Sequence, residues 1–250
     1  GALILSLSSP ALAQSDSYKA ALNPIISAIE AAPNDVNAGK NLIKDYLKTY
    51  KKDEQALTAL GNVYLAQRNF TEAMKIANSI VSNKKMNGTL GYLLLGDIVA
   101  LQDSVGNAGA AAQNYATAIS LDPHNVAAYE RYAKVYRHVN PQVSIQKLEE
   151  LRQVEPNYPV EATAAEIMLS DGKYAEALSW FDKANHSNLT EDNFYKYGYT
   201  AFILRKYDKV LEVVEDGLKR FPNSEYIARV GMMSATEKGD YPKALDFANK

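Results

Sequence analysis

Apolar residues recur at helical spacing along most of the chain. Leu22, Ile25, Ile26 and Ile29 fall on one helix face, and Leu42, Ile43, Tyr46 and Leu47 on another. Pro33-Asn34-Asp35 breaks the chain between them, with Asp35 placed to cap the second helix. The pattern predicts a helical hairpin over 14–53. Beyond residue 53 the helical pattern becomes periodic. Small residues recur at Ala73, Ala111, Ser144, Ala177, Val210 and Ala244, in steps of 38, 33, 33, 33 and 34. Gly61, Gly96 and Gly198 mark a second register, with 102 residues, or three steps of 34, from Gly96 to Gly198. Pro123, Pro156 and Pro222 give a third.

A physical reason ties these marks together. Two antiparallel helices approach closely only where the facing residues are small. Proline cannot continue a helix and restricts the residue before it, so it closes each second helix. Turns of the form Arg68-Asn69-Phe70, Asp171-Gly172-Lys173-Tyr174, Arg205-Lys206-Tyr207 and Gly239-Asp240-Tyr241 separate paired helices, with glycine free to take the left-handed conformation that stops one.

The segment Leu57-Thr58-Ala59-Leu60-Gly61-Asn62-Val63-Tyr64, continuing to Asn69, Phe70 and Ala73, resembles the tetratricopeptide repeat (TPR) family, whose period is about 34 residues. Val210 departs from the family's small-residue position, and Glu161 from its aromatic one. The resemblance implies an all-α, right-handed α-solenoid of antiparallel helix-turn-helix hairpins. Repeats are expected at 54–88, 89–125, 126–157, 158–190, 191–224 and 225–250, the last stopping inside its second helix as in a chain that continues. The stretch Gln102–Asn107 reads as an insertion in the turn of the second repeat. The hairpin at 14–53 reads as an atypical terminal repeat, its outer face exposed to water.

Composition narrows the function. The 250 residues carry 27 Lys plus Arg against 29 Asp plus Glu, a net charge of −2, which argues against nucleic acid as a partner. Cysteine is absent, excluding disulfides and thiolate chemistry, and the three histidines leave little for a metal or a catalytic triad. No nucleotide loop, nucleophile elbow or paired-histidine zinc motif is present, so neither cofactor nor metal nor catalytic activity is expected. Residues 2–7, Ala-Leu-Ile-Leu-Ser-Leu, followed by Ala11-Leu12-Ala13, read as the remnant of a secretory signal peptide over 1–13, cleaved before Gln14. That predicts a bacterial periplasmic or secreted protein without a membrane span.

Tyrosine is over-represented, at 17 against 6 Phe and 1 Trp. By the repeat register, Tyr64, Tyr92, Tyr115, Tyr129, Tyr132, Tyr136, Tyr174, Tyr197, Tyr207 and Tyr241 are expected in the packed core. Seven are left over: Tyr18, Tyr46, Tyr50, Tyr158, Tyr195, Tyr199 and Tyr226.

In TPR proteins the first helix of each repeat lines the concave face. The resemblance therefore implies groove positions at Asn62, Leu65, Leu93, Asp97, Leu101, Glu130, Glu166 and Arg229, besides two groups of greater interest. Tyr195, Tyr199 and Phe202 lie at i, i+4 and i+7 on one helix face, with Tyr226 expected beside them. Lys134, Arg137 and His138 form a basic patch. Rings for apolar side chains and cations for a carboxylate suit an extended peptide or protein segment. The expected function is a non-catalytic interaction scaffold in a cell-envelope assembly. The alternatives are a substrate-recruiting region of an enzyme whose catalytic part lies beyond residue 250, and glycan binding by the aromatic stripe. At the positions of the family's carboxylate clamp the chain reads Thr58 and Asn62, Leu93 and Asp97, then Glu130 and Lys134, which matches only in fragments and argues against a chaperone-tail cofactor.

Overall fold

The computed structural model describes residues 10–250, with side chains from Ser17 onward. The apolar run at 2–7, and with it most of the expected leader remnant, lies outside the described residues. The described residues are all-α, without strands, and form helical hairpins in two compact units, one ending at Arg131 and the other spanning Tyr132–Lys250.

The first unit contains α1 (Pro10–Ala31), α2 (Lys40–Tyr50), α3 (Glu54–Ala66), α4 (Phe70–Val81), α5 (Thr89–Gln102), α6 (Ala108–Leu121) and the start of α7 (Val126–Tyr136). Asp53 caps α3 by accepting from the Ala56 N–H at 3.1 Å, and Asn69 caps α4 by accepting from the Glu72 N–H at 3.3 Å. Asp35 does otherwise than expected. It accepts from the Asn37 N–H at 2.9 Å, tightening the connecting loop, and α2 begins after Gly39 in a left-handed conformation.

Leu60, Ile76, Ile80, Leu94 and Ile98 form the unit's apolar core, and Tyr46 and Tyr50 are buried with them. The Tyr46 hydroxyl donates to the Ala56 carbonyl at 2.6 Å, fastening α2 to α3, and Tyr50 shares a 2.7 Å hydrogen bond with Ser17 on α1. These two tyrosines, outside the repeat consensus, are therefore core residues of the terminal hairpin. The close approach of helices is visible at Gly61 and Gly96. A Cβ at Gly61 would sit 2.4 Å from Leu94 Cδ2, and one at Gly96 2.4 Å from Tyr115 Cε1.

The second unit contains the end of α7, then α8 (Pro141–Val154), α9 (Glu161–Ser170), α10 (Tyr174–Lys183), a 3-10 turn at His186–Asn188, α11 (Glu191–Ile203), α12 (Tyr207–Arg220), α13 (Glu225–Glu237) and α14 (Tyr241–Ala248). Thr190 and Asn193 form a reciprocal capping box at α11, and Ser224 caps α13. Phe181 and Tyr197 stack with ring centroids 5.1 Å apart inside a core shared with Phe194, Val213, Val214, Ile227 and Phe247. His186 bonds Asp216 at 3.0 Å, and Arg220 donates to the His186 and Leu189 carbonyls, closing the 3-10 turn onto α12.

The six recurring small positions are all buried, and Val210 packs there as well as alanine does. Pro123, Pro156 and Pro222 each stand two residues past the last residue of α6, α8 and α12. Four turns between paired helices share one backbone solution. Arg68, Gly172, Arg205 and Gly239 have φ of 56, 71, 58 and 77°, and the N–H after each returns to a carbonyl five residues back. Two of the four left-handed positions are thus arginine, where glycine is the expected residue. Two tyrosines expected in the core are exposed instead, Tyr174 at 38% and Tyr241 at 69%. Each is the first residue of its helix, as is the half-buried Tyr207, so the register position does not by itself fix how much of the ring is covered.

Candidate functional site

In the second unit the end of α7 and the first helices α9, α11 and α13 bring polar and aromatic side chains together. Lys134 and Arg137 line a hollow of about 420 Å³ with Thr163, Glu166 and Ser170 from α9 and Lys196 from α11. The Arg137 guanidinium is braced by the Lys134 carbonyl. His138 is exposed and is not among the lining residues. Glu166 accepts from Lys196 Nζ at 3.3 Å and from Asn193 Nδ2 at 3.1 Å, so one carboxylate ties α9 to α11. Lys196 also pairs with Asp192 at 2.7 Å, and that hydrogen bond, ahead of its other surroundings, raises the pKa of the ammonium above its ordinary value.

Tyr195, Tyr199 and Phe202 run up α11 as a ladder. Tyr195 and Tyr199 stack at 5.9 Å, and Tyr199 and Phe202 at 6.5 Å, while Tyr226 from α13 meets Tyr195 edge-on at 6.0 Å. The ladder ends on Tyr207, 5.6 Å from Phe202. Tyr195 and Phe202 are half-buried, whereas Tyr199 is 40% and Tyr226 60% exposed. The rings therefore support one another while keeping accessible surface. Tyr195 and Tyr226, with Glu191 and Asp192, line a second hollow of about 260 Å³.

The four aromatic residues singled out from sequence form one connected cluster, and Lys134 and Arg137 share a hollow with Lys196, the chain neighbour of Tyr195. Thr163, Ser170 and Lys196 carry no such signal in the repeat register. The i,i+4 spacing of Asp192 and Lys196 signals their pair, but Glu166 lies 30 residues from Lys196 and meets it only through helix stacking. Two other implied groove positions are spent internally. Leu93 is buried, and Asp97 accepts from Tyr115 Oη at 2.6 Å and Arg131 Nη1 at 2.8 Å. Burial raises the Asp97 pKa above the usual carboxylate range, opposed by Arg131 and by the Tyr115 hydrogen bond.

Two further hollows lie elsewhere. One, of about 480 Å³, is bounded by the loop after α1 and the α3–α4 turn; the other, of about 420 Å³, is rimmed by Arg205, Lys206, Lys209 and Lys238. Lys209 and Lys238 are already paired there, with Asp182 and Asp208. Among the described residues no group of three or more His, Asp or Glu side chains is placed to hold a metal ion, and no helix is long and apolar enough to cross a membrane.

The hairpins, the buried small residues at their crossings and the shared turns define the fold of TPR proteins, an α-solenoid. Solved structures agree. The chain is similar to Pseudomonas aeruginosa PilF, at 17% identity and a TM-score of 0.59 over 78% of this chain and 88% of that one. It is similar to a thermophilic TPR protein of Thermus thermophilus, at 19% and 0.54 over 73% and 99%. A tetratricopeptide repeat protein of Parabacteroides merdae matches at 15% and 0.54 over 93% and 91%. At these identities the likeness is one of fold. No protein-family model matches the chain, and no curated protein matches it.

Proposed function

We propose that the chain is a non-catalytic interaction scaffold that holds a peptide or an extended protein segment against the second unit. The observation that carries this reading is the placement on neighbouring first helices of a basic hollow, at Lys134, Arg137 and Lys196, and an aromatic ladder, at Tyr195, Tyr199, Phe202 and Tyr226. Exposed tyrosines lose little side-chain entropy on binding, and a guanidinium beside ammonium groups complements a carboxylate. His138, next in the chain to Arg137, is exposed and is proposed as a further contact of the same ligand. The small-x-small triplet Ala11-Leu12-Ala13 after an apolar run supports an exported protein working in the cell envelope.

Selection of a random dodecapeptide library on the purified chain tests this reading. Selected peptides should bind the variant carrying both Tyr195→Ala and Tyr199→Ala at least about tenfold more weakly, and Lys134→Glu with Arg137→Glu should do the same. The charge-reversal variant should keep the wild-type thermal melt; Tyr195 is half-buried against the unit's core, so where the tyrosine variant melts lower the exposed Tyr199→Ala alone carries the comparison. Equal affinity for wild type and both variants would sink the site.

A further inference from the structure

The smaller hollow, at the start of α11, combines two aromatic rings with two carboxylates. Tyr195 and Tyr226 meet at 65° to form a corner, and Glu191 and Asp192 complete the lining. A phenol ring carries negative charge on its face, so the corner attracts a cation, and the carboxylates add to that field. Neither of the chain's two nearby cations is among the residues that line it. Lys196 pairs with Asp192 while lining the neighbouring basic hollow, and Arg229 lies over Tyr226, 5.8 Å from its centroid. Glu191 is exposed and has no partner among the described residues.

We propose that this hollow seats the lysine or arginine side chain of a bound peptide, its alkyl stem against Tyr195 and Tyr226 and its charged head at Glu191 and Asp192. The proposal deepens the groove reading and rests on it. The Asp192–Lys196 pair stands between a basic hollow on one side and this acidic, aromatic one on the other. The ligand is then bipolar, with a carboxylate at Lys134 and Arg137 and a cation at Glu191 and Tyr226, which fixes the direction in which it lies. An acidic side chain in the smaller hollow would meet like charge from Glu191, whereas Asp192 is already paired with Lys196.

The test is a double-mutant cycle on a selected dodecapeptide made with a fluorescent label. Wild type should enrich peptides carrying Lys or Arg at a fixed spacing from an acidic residue or a C-terminal carboxylate. Replacing that basic residue by norleucine should weaken binding about fivefold or more to wild type, and by much less to Glu191→Gln or to Glu191→Gln with Tyr226→Ala. If Tyr226→Ala shifts the thermal melt, Glu191→Gln alone carries the cycle. Enriched peptides without a basic preference, or an equal loss in wild type and variant, would overturn the cation seat while leaving the groove reading intact. Failure to enrich any peptide would overturn both.

Discussion

At the scale of single residues, the same amino acid in the same register does different work. Gly96 faces the Tyr115 ring, which is pinned by its hydroxyl to Asp97 and cannot swing away. Gly198 faces open packing, and a Cβ placed there would have Val230 Cγ1 as its nearest atom, at 3.4 Å. Gly96→Ala should therefore destabilise by about 1–3 kcal/mol through overpacking. Gly198→Ala should stabilise by about 0.5–1 kcal/mol, because alanine has less chain entropy to lose in a helix. Urea melts of the two variants check the contrast, and shifts in the same direction would show that the Tyr115 ring is not what requires glycine at 96. The tyrosines show where residue-level reading stops. Register identifies the helix face on which a ring sits, which suffices for Tyr115, Tyr129 and Tyr197. It does not identify what covers that face. Tyr46 and Tyr50, covered by the terminal hairpin, and Tyr174 and Tyr241, left exposed, therefore escape it.

At the scale of elements, the hairpins were legible because their signals are local. Small residues at crossings, prolines after second helices and side-chain caps act within a few residues of where they stand in sequence. The four left-handed turns were only half legible. Gly172 and Gly239 carry the usual signal, whereas Arg68 and Arg205 reach the same conformation because the hydrogen bonds of the turn hold them there. The cost they bear sets an expectation for Gly172, whose surroundings are empty within 4 Å. Gly172→Ala has ample room, yet should lose about 1 kcal/mol from the left-handed backbone alone. A melt unchanged by Gly172→Ala would show that the α9–α10 turn relaxes to a different backbone.

At the scale of the whole molecule, the candidate site was legible in its residue types and not in its adjacency. The aromatic ladder follows from spacing within α11, but Glu166 reaching Lys196 and Tyr226 reaching Tyr195 depend on how one hairpin stacks on the next. Stacked hairpins also set the response to alkali. Burial first, then hydrogen bonds or nearby charges, raises the pKa of Tyr46, Tyr115 and Tyr197 above the ordinary 10.0. The folded chain holds these phenols protonated where the unfolded chain ionises them. Their contribution is thus complete below pH 10.0 and is lost as pH rises above it. Melting temperature should fall steadily from about pH 9 to 11, with tyrosinate absorbance from these three rings appearing only on unfolding, a course that Tyr197→Phe should flatten. Ionisation of all tyrosines in the folded chain would contradict it. One more property follows from the core of the second unit. Its only indole, and the chain's, is Trp180 on α10, half-buried against that core with Lys183 Nζ 4.6 Å from the ring centroid. Phenols are spread through both units, so excitation that spares them gives a fluorescence signal from Tyr132–Lys250 alone. The chain carries a built-in optical label for the unit on which the proposed ligand would lie.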